Sequence, residues 1–380
     1  MDFSLSHEQQ AIYDTALAFG ADRIAPNALD WEMDGTIPRT LWLDIGELGF
    51  GGLNISDGAG GAGLNRLDST LVFEALSGAC ASVAAFLSIH NMCARMIEAL
   101  GGEELKNRVL HPVIKMETLL SYCLTEPGSG SDAAALRARA ERTNEGWQLS
   151  GTKAFISGGG YSDAYVVMAR TGGEGPDGIS AFLLEGGVTG LTFGGLEQKM
   201  GWRSQPTRQV QMDNCRVPGA NLLGKEGEGF KYAMAALDGG RLNISACSLG
   251  AAQCALNRTV AYMSERQAFG QRLDQFQALQ FKVADCEIEL QAARTFLRHA
   301  AWALDTAQPD ATKRCAMAKA FVTEAASRIA DTCLQLHGGY GYLAEYGIEK
   351  IVRDLRVHRI LEGTNEIMRV IVARHLTADS

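Results

Sequence analysis

The sequence lacks the features that assign a chain to several common classes of protein. It has no block of like charges and a net charge of −9, so it shows no basic patch of the kind that binds nucleic acid. Its nine cysteines include no C-x-x-C pair, which disfavours both zinc binding and a secreted disulfide framework. We therefore predict no metal site, no nucleic-acid partner, and free thiols in a reducing compartment.

Long hydrophobic runs are also absent. No stretch of about 18 consecutive apolar residues occurs, so we predict no membrane-spanning segment. Residues 1–4 (MDFS) do not begin the charged and apolar regions of a signal peptide. The predicted location is the cytoplasm of a bacterium, or the mitochondrial matrix for a mature eukaryotic chain.

The hydrophobic pattern changes twice along the chain and predicts an α+β protein of three domains. Residues 1–118 have helical periodicity, and a capping-box spacing at 6–9 (SHEQ) precedes the first helix. Residues 119–228 contain short β-rich runs separated by glycine-rich breaks, a pattern typical of a β-barrel or sandwich. Residues 229–380 return to helical periodicity.

The last domain is predicted to be a four-helix bundle, because long antiparallel helices pack in this way. Its four predicted helices are 230–258, 276–306, 310–336 and 364–376. In the third helix, the residues that repeat every four positions are Met317, Phe321, Ala325 and Ile329, with Val322 and Cys333 alongside. This repeat predicts one apolar helical face.

Residues 128–133 (GSGSDA) satisfy the G-x-G-x-x-A pattern of a dinucleotide-binding loop. That fingerprint requires a buried strand before the loop and a helix after it. Here 125–127 (TEP) precedes the loop, and a β-rich run at 146–151 (GWQLSG) follows it. We therefore predict a turn whose backbone N–H groups face an anion, and not a Rossmann fold.

Four segments of the sequence resemble signature motifs of the acyl-CoA dehydrogenase family. They are 122–132 (YCLTEPGSGSD), 266–270 (RQAFG), 335–342 (QLHGGYGY) and 360–366 (ILEGTNE). They occur in the family's order and with similar spacing, so the resemblance covers essentially the whole chain. It implies an FAD enzyme with a β-barrel between two helical domains. It also implies an acyl-CoA substrate, electron-transferring flavoprotein as electron acceptor, and a homotetramer built as a dimer of dimers.

Glu362 matches the catalytic base of the family. The reaction removes a proton from the carbon next to a thioester carbonyl, while a hydride leaves the neighbouring carbon for the flavin. A carboxylate in a dry pocket has a raised pKa and is a stronger base. The resemblance implies that the Glu362 backbone N–H and a ribityl hydroxyl of FAD stabilise the charge that develops on the thioester oxygen.

Some relatives carry the base elsewhere, just before an arginine on a helix. In this chain Gly240 stands at that position, ahead of Arg241. Because glycine cannot accept a proton, the resemblance favours Glu362 as the base. The missing side chain also leaves room near the reacting carbons, which suits a branched acyl group.

The resemblance implies a set of residues that bind FAD. They are Tyr122, Cys123, Leu124, Thr125, Gly130, Ser131, Phe155, Ile156, Ser157, Arg266, Phe269, Phe276, Gln277, Gln335, Leu336, His337, Gly338, Gly339, Thr364, Asn365 and Glu366. Those from 122 to 157 are expected around the flavin. Those from 266 to 339 are expected on the pyrophosphate and adenosine of a neighbouring subunit's cofactor, where a planar guanidinium suits phosphate. Glu366 is equally explained as a first-turn helix charge.

The resemblance also implies residues that bind the CoA substrate. They are Ser131, Asp238, Gly239, Gly240, Arg241, Gly363 and Arg374. Asp238 and Arg241 lie three residues apart and share a helical face, so a local ion pair is the alternative. Ser131 is alternatively a turn residue, and Arg374 a charge at the end of a helix.

Three further segments resemble the branch of the family that acts on isobutyryl-CoA. They are 88–93 (SIHNMC), 153–158 (KAFISG) and 239–244 (GGRLNI). The predicted reaction is therefore oxidation of isobutyryl-CoA to methacrylyl-CoA, a step of valine degradation. The alternatives are butyryl- or 2-methylbutyryl-CoA as substrate, an acyl-CoA oxidase of the same fold, and a non-catalytic helical partner protein.

Overall fold

A computed structural model describes residues 4–377, and the first part of the chain is helical. Its helices are α1 (His7–Phe19), α2 (Ala28–Asp34), α3 (Arg39–Glu47), α4 (Arg66–Ala79), α5 (Ala81–Leu100) and α6 (Glu103–Ile114). The predicted capping box begins α1: the Gln9 N–H donates to Ser6 Oγ at 3.1 Å, and the Ser6 N–H donates to Gln9 Oε1 at 3.0 Å. These bonds satisfy backbone donors that a first helical turn leaves unpaired.

The middle part folds into one eight-stranded sheet. Its strands are β1 (Leu120–Cys123), β2 (Arg139–Thr143), β3 (Gly146–Ser157), β4 (Ala164–Arg170), β5 (Ile179–Glu185), β6 (Leu191–Phe193), β7 (Thr207–Pro218) and β8 (Leu222–Leu223). Their order is β6-β7-β3-β2-β4-β5-β8, and β1 pairs with β4. A single residue pair, Arg139 with Arg170, joins β2 to β4. The two halves pack on each other, with Trp147 and Phe182 rings 5.2 Å apart.

Helices and a short hairpin complete the chain. They are α7 (Gly229–Glu265), the hairpin β9 (Gln267–Ala268) and β10 (Gln271–Arg272), α8 (Gln277–Asp305), α9 (Ala311–His337), α10 (Ile348–Arg356) and α11 (Asn365–Thr377). The four long helices of the prediction are all present, but α7 continues to Glu265 instead of ending at 258. The helix α10 was not predicted, because a glycine-rich segment precedes it. The predicted α+β class is confirmed.

The apolar face predicted for α9 is partly wrong. Met317 and Phe321 are 36% and 39% exposed, whereas Ala325 and Ile329 are buried. A helix turns by about 100° per residue, so positions four apart drift by about 40° at each step. The predicted row of residues therefore begins on the protein surface, at Met317, and ends in the core, at Ile329. The observed buried face includes Lys319, a charged residue that the prediction passed over.

The helix α7 lies between the N-terminal helices and the other bundle helices. A Cβ built on Gly250 of α7 would lie 1.9 Å from the Glu74 carbonyl oxygen of α4, so glycine permits the close approach. In addition, Ser77 Oγ of α4 donates to the Cys247 carbonyl of α7 at 2.5 Å. Residues of α4, α5, α7, α8 and α9 share one hydrophobic core. These contacts fix the middle of α7, just after the residues of this helix that belong to the site.

Across the described part of the chain, α5 is the one helix whose length and composition suit a membrane span, with a mean hydropathy of 1.2. However, 72% of its most apolar window is buried inside the protein. It packs against α4, α6, α7 and β1, as a core helix does. His90 on this helix is fully buried, and its Nε2 lies 3.0 Å from the Val113 carbonyl oxygen, as expected for a satisfied core histidine.

Candidate active site

Glu362 lies in the turn between α10 and α11, in an unusual backbone conformation. Its φ is 56°, in the left-handed region, and Gly363 follows with a φ of 84°. Glu362 Oε2 is enclosed by protein and has no hydrogen-bond partner among residues 4–377. Burial raises the pKa of this carboxyl to about 7, although Arg241 and Lys319 act in the opposite direction.

Gly240 of α7 faces the Glu362 carboxylate directly. A Cβ built on Gly240 would lie 2.5 Å from Glu362 Oε2 and 3.0 Å from Oε1. The carboxylate therefore packs on the bare helix backbone, and any side chain at 240 would displace it. The absence of a side chain at this position, noted in the sequence, is what allows Glu362 to occupy its place.

Asp238 and Arg241, in the first half of α7, form the local ion pair that was the alternative to CoA binding. Both residues are buried, and Arg241 Nη1 donates to Asp238 Oδ1 at 2.6 Å. Asp238 Oδ2 accepts from Thr312 Oγ1 at 2.6 Å, and Arg241 Nε donates to the Glu362 carbonyl at 3.4 Å. The pair is thus also part of the wall around Glu362. Gly239, next to Asp238, packs on the guanidinium of Arg66. A Cβ built on Gly239 would lie 2.8 Å from the guanidinium carbon.

Tyr122 of β1 brings a second polar atom without a partner. Its hydroxyl is buried and forms no hydrogen bond to the described residues. Burial, with the nearby Cys93 and Glu362, raises the pKa of this phenol well above its ordinary value, so it stays a neutral donor. The Glu362 backbone N–H also has no protein acceptor within residues 4–377. This hydroxyl and this N–H are therefore both available to a polar ligand.

The turn at 128–133 is held in place by a buried ion pair. Lys153 Nζ donates to Glu126 Oε1 at 2.8 Å and to the Leu124 carbonyl at 3.0 Å. Glu126 also accepts from the backbone N–H groups of Arg137 and Ala138. Gly130 and Ser131 on this turn are exposed, and Thr125 is half-buried. The segment is a turn between β1 and β2, as predicted, and it is followed by a single 3-10 turn (Ala133–Ala135) and not by the α-helix of a Rossmann fold.

Phe155 and its neighbours lie at an irregularity of β3. Phe155 is 69% exposed with a φ of 59°, and the pairing register of β3 with β7 shifts between Lys153 and Ile156. The side chains of Ile156 and Cys123 belong to the sheet core, so only their backbone groups face outward. The Ser157 carbonyl accepts from Ser121 Oγ at 2.5 Å, while Leu124 is half-buried.

A second set of predicted residues surrounds an open groove of about 650 Å³ at the C-terminal end of α9. Its lining includes Arg266, Gln335, Leu336, His337, Gly338 and Gly339. Arg266 lies 5.4 Å above the Tyr340 ring, and His337 stacks on Tyr262 at 4.5 Å. No atom lies within 4 Å of a Cβ built on Gly339, so the groove floor is open.

The hairpin beside this groove carries an exposed aromatic residue. Phe269, at the hairpin tip, is 97% exposed, and its ring lies 6.4 Å from that of Phe276. Gln277 begins α8 directly after Phe276. An aromatic side chain exposed to this degree makes almost no contact within its own chain. Phe269 is therefore a large apolar group open to solvent beside the groove.

The residues after Glu362 have different surroundings. Thr364 Oγ1 accepts from the Ile367 N–H at 3.3 Å, and the Glu366 side chain is 81% exposed. Asn365 is buried, and its Oδ1 accepts from Lys319 Nζ at 2.9 Å. Arg374 is exposed on α11 and forms no ion pair with any residue that the structure describes, so it does not join Asp238 and Arg241.

Three further features near the site were not predicted from the sequence: Lys319, Arg66 and the Glu126–Lys153 pair. Lys319 is fully buried on α9, and its Nζ donates to the Gly363 carbonyl at 2.8 Å. A signal was present, because Lys319 is the single charge in 315–323 (CAMAKAFVT). For residues 4–377, no cluster of three or more His, Cys, Asp or Glu side chains is placed to hold a metal ion.

Three family models match nearly the whole chain. They describe the N-terminal domain of acyl-CoA dehydrogenases at residues 6–117, the middle domain at 121–215, and the C-terminal domain at 227–377. The chain belongs to the acyl-CoA dehydrogenase family and is a flavin-dependent oxidoreductase. It is 48% identical to the mitochondrial isobutyryl-CoA dehydrogenases of Dictyostelium discoideum, over 99% of this chain and 90% of that one, and of Bos taurus, over 98% and 89%.

Solved structures agree with this assignment. Butyryl-CoA dehydrogenase from Megasphaera elsdenii has a TM-score of 0.95 at 36% identity, covering 99% of this chain and all of that one. PigA with FAD and proline has a TM-score of 0.96 at 29% identity, covering all of both chains. FAD is the cofactor of this family fold and of this chain.

Proposed function

We propose that the protein oxidises isobutyryl-CoA to methacrylyl-CoA, with Glu362 as the base that takes the α-proton. The observation that carries this proposal is the enclosed Glu362 carboxylate, packed on Gly240 with Oε2 unpaired and a pKa raised to about 7. A general base is most effective when its pKa lies near the working pH. The unpaired oxygen has no competing donor among residues 4–377, so it is available to accept a proton from a substrate.

The developing negative charge needs its own stabilisation, because an α C–H is a weak acid. We propose that the thioester oxygen accepts a hydrogen bond from the Glu362 backbone N–H, which has no acceptor in residues 4–377. Glu362 and Gly363 both have left-handed backbone conformations, with φ of 56° and 84°, and we propose that these aim the N–H at the bound thioester. Donors fixed before the reaction stabilise such an anion without further reorganisation.

FAD, when bound, supplies the acceptor for the hydride that leaves the β carbon. We propose that the Tyr122 hydroxyl, the Phe155 ring and the outward backbone of Cys123, Ile156 and Ser157 hold its flavin. The residues around the open groove, including Arg266 and Gly339, would hold the pyrophosphate and adenosine. Three observations support this fit: the orphaned phenol, the exposed aromatic ring, and a groove floor without side chains.

The substrate residues are proposed from the same geometry. Arg241 and Asp238 would contact the CoA ester beside Glu362, together with Gly239, Gly240 and Gly363. Ser131 would contact it from the exposed turn after β1, and Arg374 remains a proposal without a contact to support it. We propose an acyl group with a branch at its α carbon, but the room expected at Gly240 does not support this choice, because the Glu362 carboxylate fills it. The relatives named for isobutyryl-CoA do support it.

Further parts of the proposal concern partners and assembly. We propose electron-transferring flavoprotein as the acceptor and a homotetramer in which a neighbouring subunit covers the open groove and Phe269. The domain bounds 1–118, 119–228 and 229–380 are likewise proposed, as is a location in the bacterial cytoplasm or mitochondrial matrix. Reduction of purified electron-transferring flavoprotein and the sedimentation mass of the protein would test the first two.

Anaerobic bleaching of the flavin by a panel of CoA esters tests the substrate. The FAD-loaded protein is mixed with isobutyryl-, butyryl- or 2-methylbutyryl-CoA, and the loss of flavin absorbance is followed. We expect the highest kcat/KM for isobutyryl-CoA. A faster reaction with butyryl-CoA would reject the substrate assignment. Hydrogen peroxide release in air without another acceptor would indicate an oxidase instead.

A further inference from the structure

Lys319 is a buried cation that the proposed reaction does not use. It is fully buried on α9, and among the described residues it forms no ion pair within 4.0 Å. Its Nζ instead donates to the Gly363 carbonyl at 2.8 Å and to Asn365 Oδ1 at 2.9 Å. A buried ammonium without a paired carboxylate is costly, so its retention needs a reason.

The two carbonyls of the left-handed turn are both bound by buried cations. Arg241 Nε donates to the Glu362 carbonyl at 3.4 Å, and Lys319 Nζ donates to the Gly363 carbonyl at 2.8 Å. A left-handed conformation at a residue with a Cβ costs on the order of 1 kcal/mol and persists only when its surroundings hold it. Arg241 is also committed to Asp238, at 2.6 Å, whereas Lys319 donates only to Gly363 of this turn and to Asn365 at the start of α11.

The other partner of Lys319 is itself fixed. Asn365 Oδ1 also lies 3.3 Å from Thr323 Oγ1, and Asn365 Nδ2 donates to Glu324 Oε1 at 2.9 Å. Glu324 in turn pairs with Arg359 at 3.0 Å. Lys319 therefore connects the rigid helix α9 to the start of α11 and to the turn that precedes it. A shift of its ammonium would move Gly363 and the residue before it.

We propose that Lys319 is a positioning residue, whose ammonium holds the Gly363 carbonyl and thereby aims the Glu362 carboxylate at the space beside Gly240. The proposal rests on Glu362 being the base. It adds a residue that touches neither substrate nor flavin and acts through the backbone of the turn. Misplacing a catalytic carboxylate by about 1 Å can lower the reaction rate by about 10²-fold, so the loss of the Lys319–Gly363 hydrogen bond should be measurable.

The positive charge of Lys319 also supports the proposed base, because it favours the ionised form of Glu362. The titratable and charged groups around the Glu362 carboxyl are Arg241 and Cys247 on α7, Lys319 on α9, Tyr122 on β1 and Cys93 on α5. Of these, Arg241 and Lys319 lower the pKa of Glu362, against the effect of burial. Burial lowers the pKa of Lys319 itself to about 8, so it remains a cation at neutral pH. Removing it should therefore raise the pKa of Glu362.

The test compares Lys319→Met with Lys313→Met in the full-length, FAD-loaded protein. Lys313 is on the same helix but near the surface, where it pairs with Asp310 at 3.4 Å. The rate of anaerobic flavin bleaching at saturating isobutyryl-CoA is measured from pH 5.5 to 9. For Lys319→Met we expect retained FAD and a KM within about threefold of wild type. The bleaching rate should be lower by about 10²-fold, and the midpoint of its pH profile should be higher by about one pH unit. Lys313→Met should match wild type.

A wild-type rate and midpoint in Lys319→Met would overturn the proposal, as would a loss confined to KM. If Lys319→Met does not fold, Lys319→Arg is the deciding variant. It keeps the charge but changes the geometry, so we expect a lower bleaching rate with an unchanged midpoint of the pH profile. An unchanged rate would overturn the proposal that Lys319 positions the turn. The proposed function fails separately. In that case wild-type protein does not bleach with isobutyryl-CoA or butyryl-CoA, or Glu362→Gln keeps its rate.

Discussion

The two sets of site residues differ in how far one chain completes them. Around Glu362, side chains from α5, α7, α9 and β1 converge, and the carboxylate oxygen is enclosed. Around Arg266 and Gly339 the chain leaves an open groove of about 650 Å³, with Phe269 97% exposed beside it. The residues proposed for the chemistry thus come from a single chain, whereas the place proposed for the adenosine end is left open. Changes in the first region should alter rate, and changes in the second should alter cofactor retention.

Glu362→Gln should have the largest effect. The amide cannot accept the proton, and loss of a general base costs about 10²–10⁴-fold in rate. FAD content should stay the same, because the groove is untouched. Bleaching by isobutyryl-CoA is measured beside Glu145→Gln, a change at a side chain that is 85% exposed. A Glu362→Gln protein that bleaches at the wild-type rate would remove the basis of the proposed mechanism.

Gly240→Ala should come next, with a rate lower by about 10²-fold. The new Cβ would lie 2.5 Å from Glu362 Oε2, so the carboxylate must move. Gly78→Ala is a matched control, because a Cβ there meets its nearest atom at an ordinary 3.6 Å. Equal loss of activity in both variants would attribute the effect to helix packing and not to the displaced base.

The pH dependence should give about a tenfold change per pH unit below the midpoint. Glu362 must be ionised to accept a proton, and its pKa is raised to about 7. The bleaching rate should therefore fall as the pH drops below about 7 and level off above it. Arg266→Ala should leave this midpoint unchanged, since Arg266 belongs to the other region. A midpoint near the ordinary carboxyl value would contradict the burial argument.

Arg266→Ala should have the smallest effect on rate and a clear effect on cofactor retention. A hydrogen bond to a charged group contributes about 1.5–3 kcal/mol, so FAD affinity should fall by at least about tenfold. The measurement is FAD release on dilution, compared with Arg216→Ala, whose side chain is 85% exposed on the sheet. Unchanged retention in Arg266→Ala would separate the groove from the cofactor.

Much of the fold was predictable from the sequence, because long helices and short strands leave strong local patterns. The bounds of α8, α9 and α11 differ from the predicted ones by one residue at each end. The face of α9 was harder, since a repeat of four only approximates a turn of 3.6 residues. The helix α10 begins after Gly347, and its glycine-rich approach resembles a loop.

The site was predictable where a residue type carries its own chemistry. Glu362, Gly240 and the Asp238–Arg241 pair were identified from motifs, and the structure brings them together. Lys319 and Arg66 were missed because their contacts join distant parts of the chain. Arg66 packs on Gly239, and Lys319 binds the turn at Gly363. Such pairings depend on the packing of whole helices, which no local pattern records.

The close approach at Gly250 has a consequence for engineering this chain. The helix α7, which carries Gly240 and Arg241, is in direct backbone contact with α4. A Cβ built on Gly250 would lie 1.9 Å from the Glu74 carbonyl oxygen. A chimaera that joins the N-terminal helices of one relative to the remainder of another would have to preserve this contact between α4 and α7. Transplanting a new acyl preference therefore calls for exchanging α4 and α7 as a unit, and not either half alone.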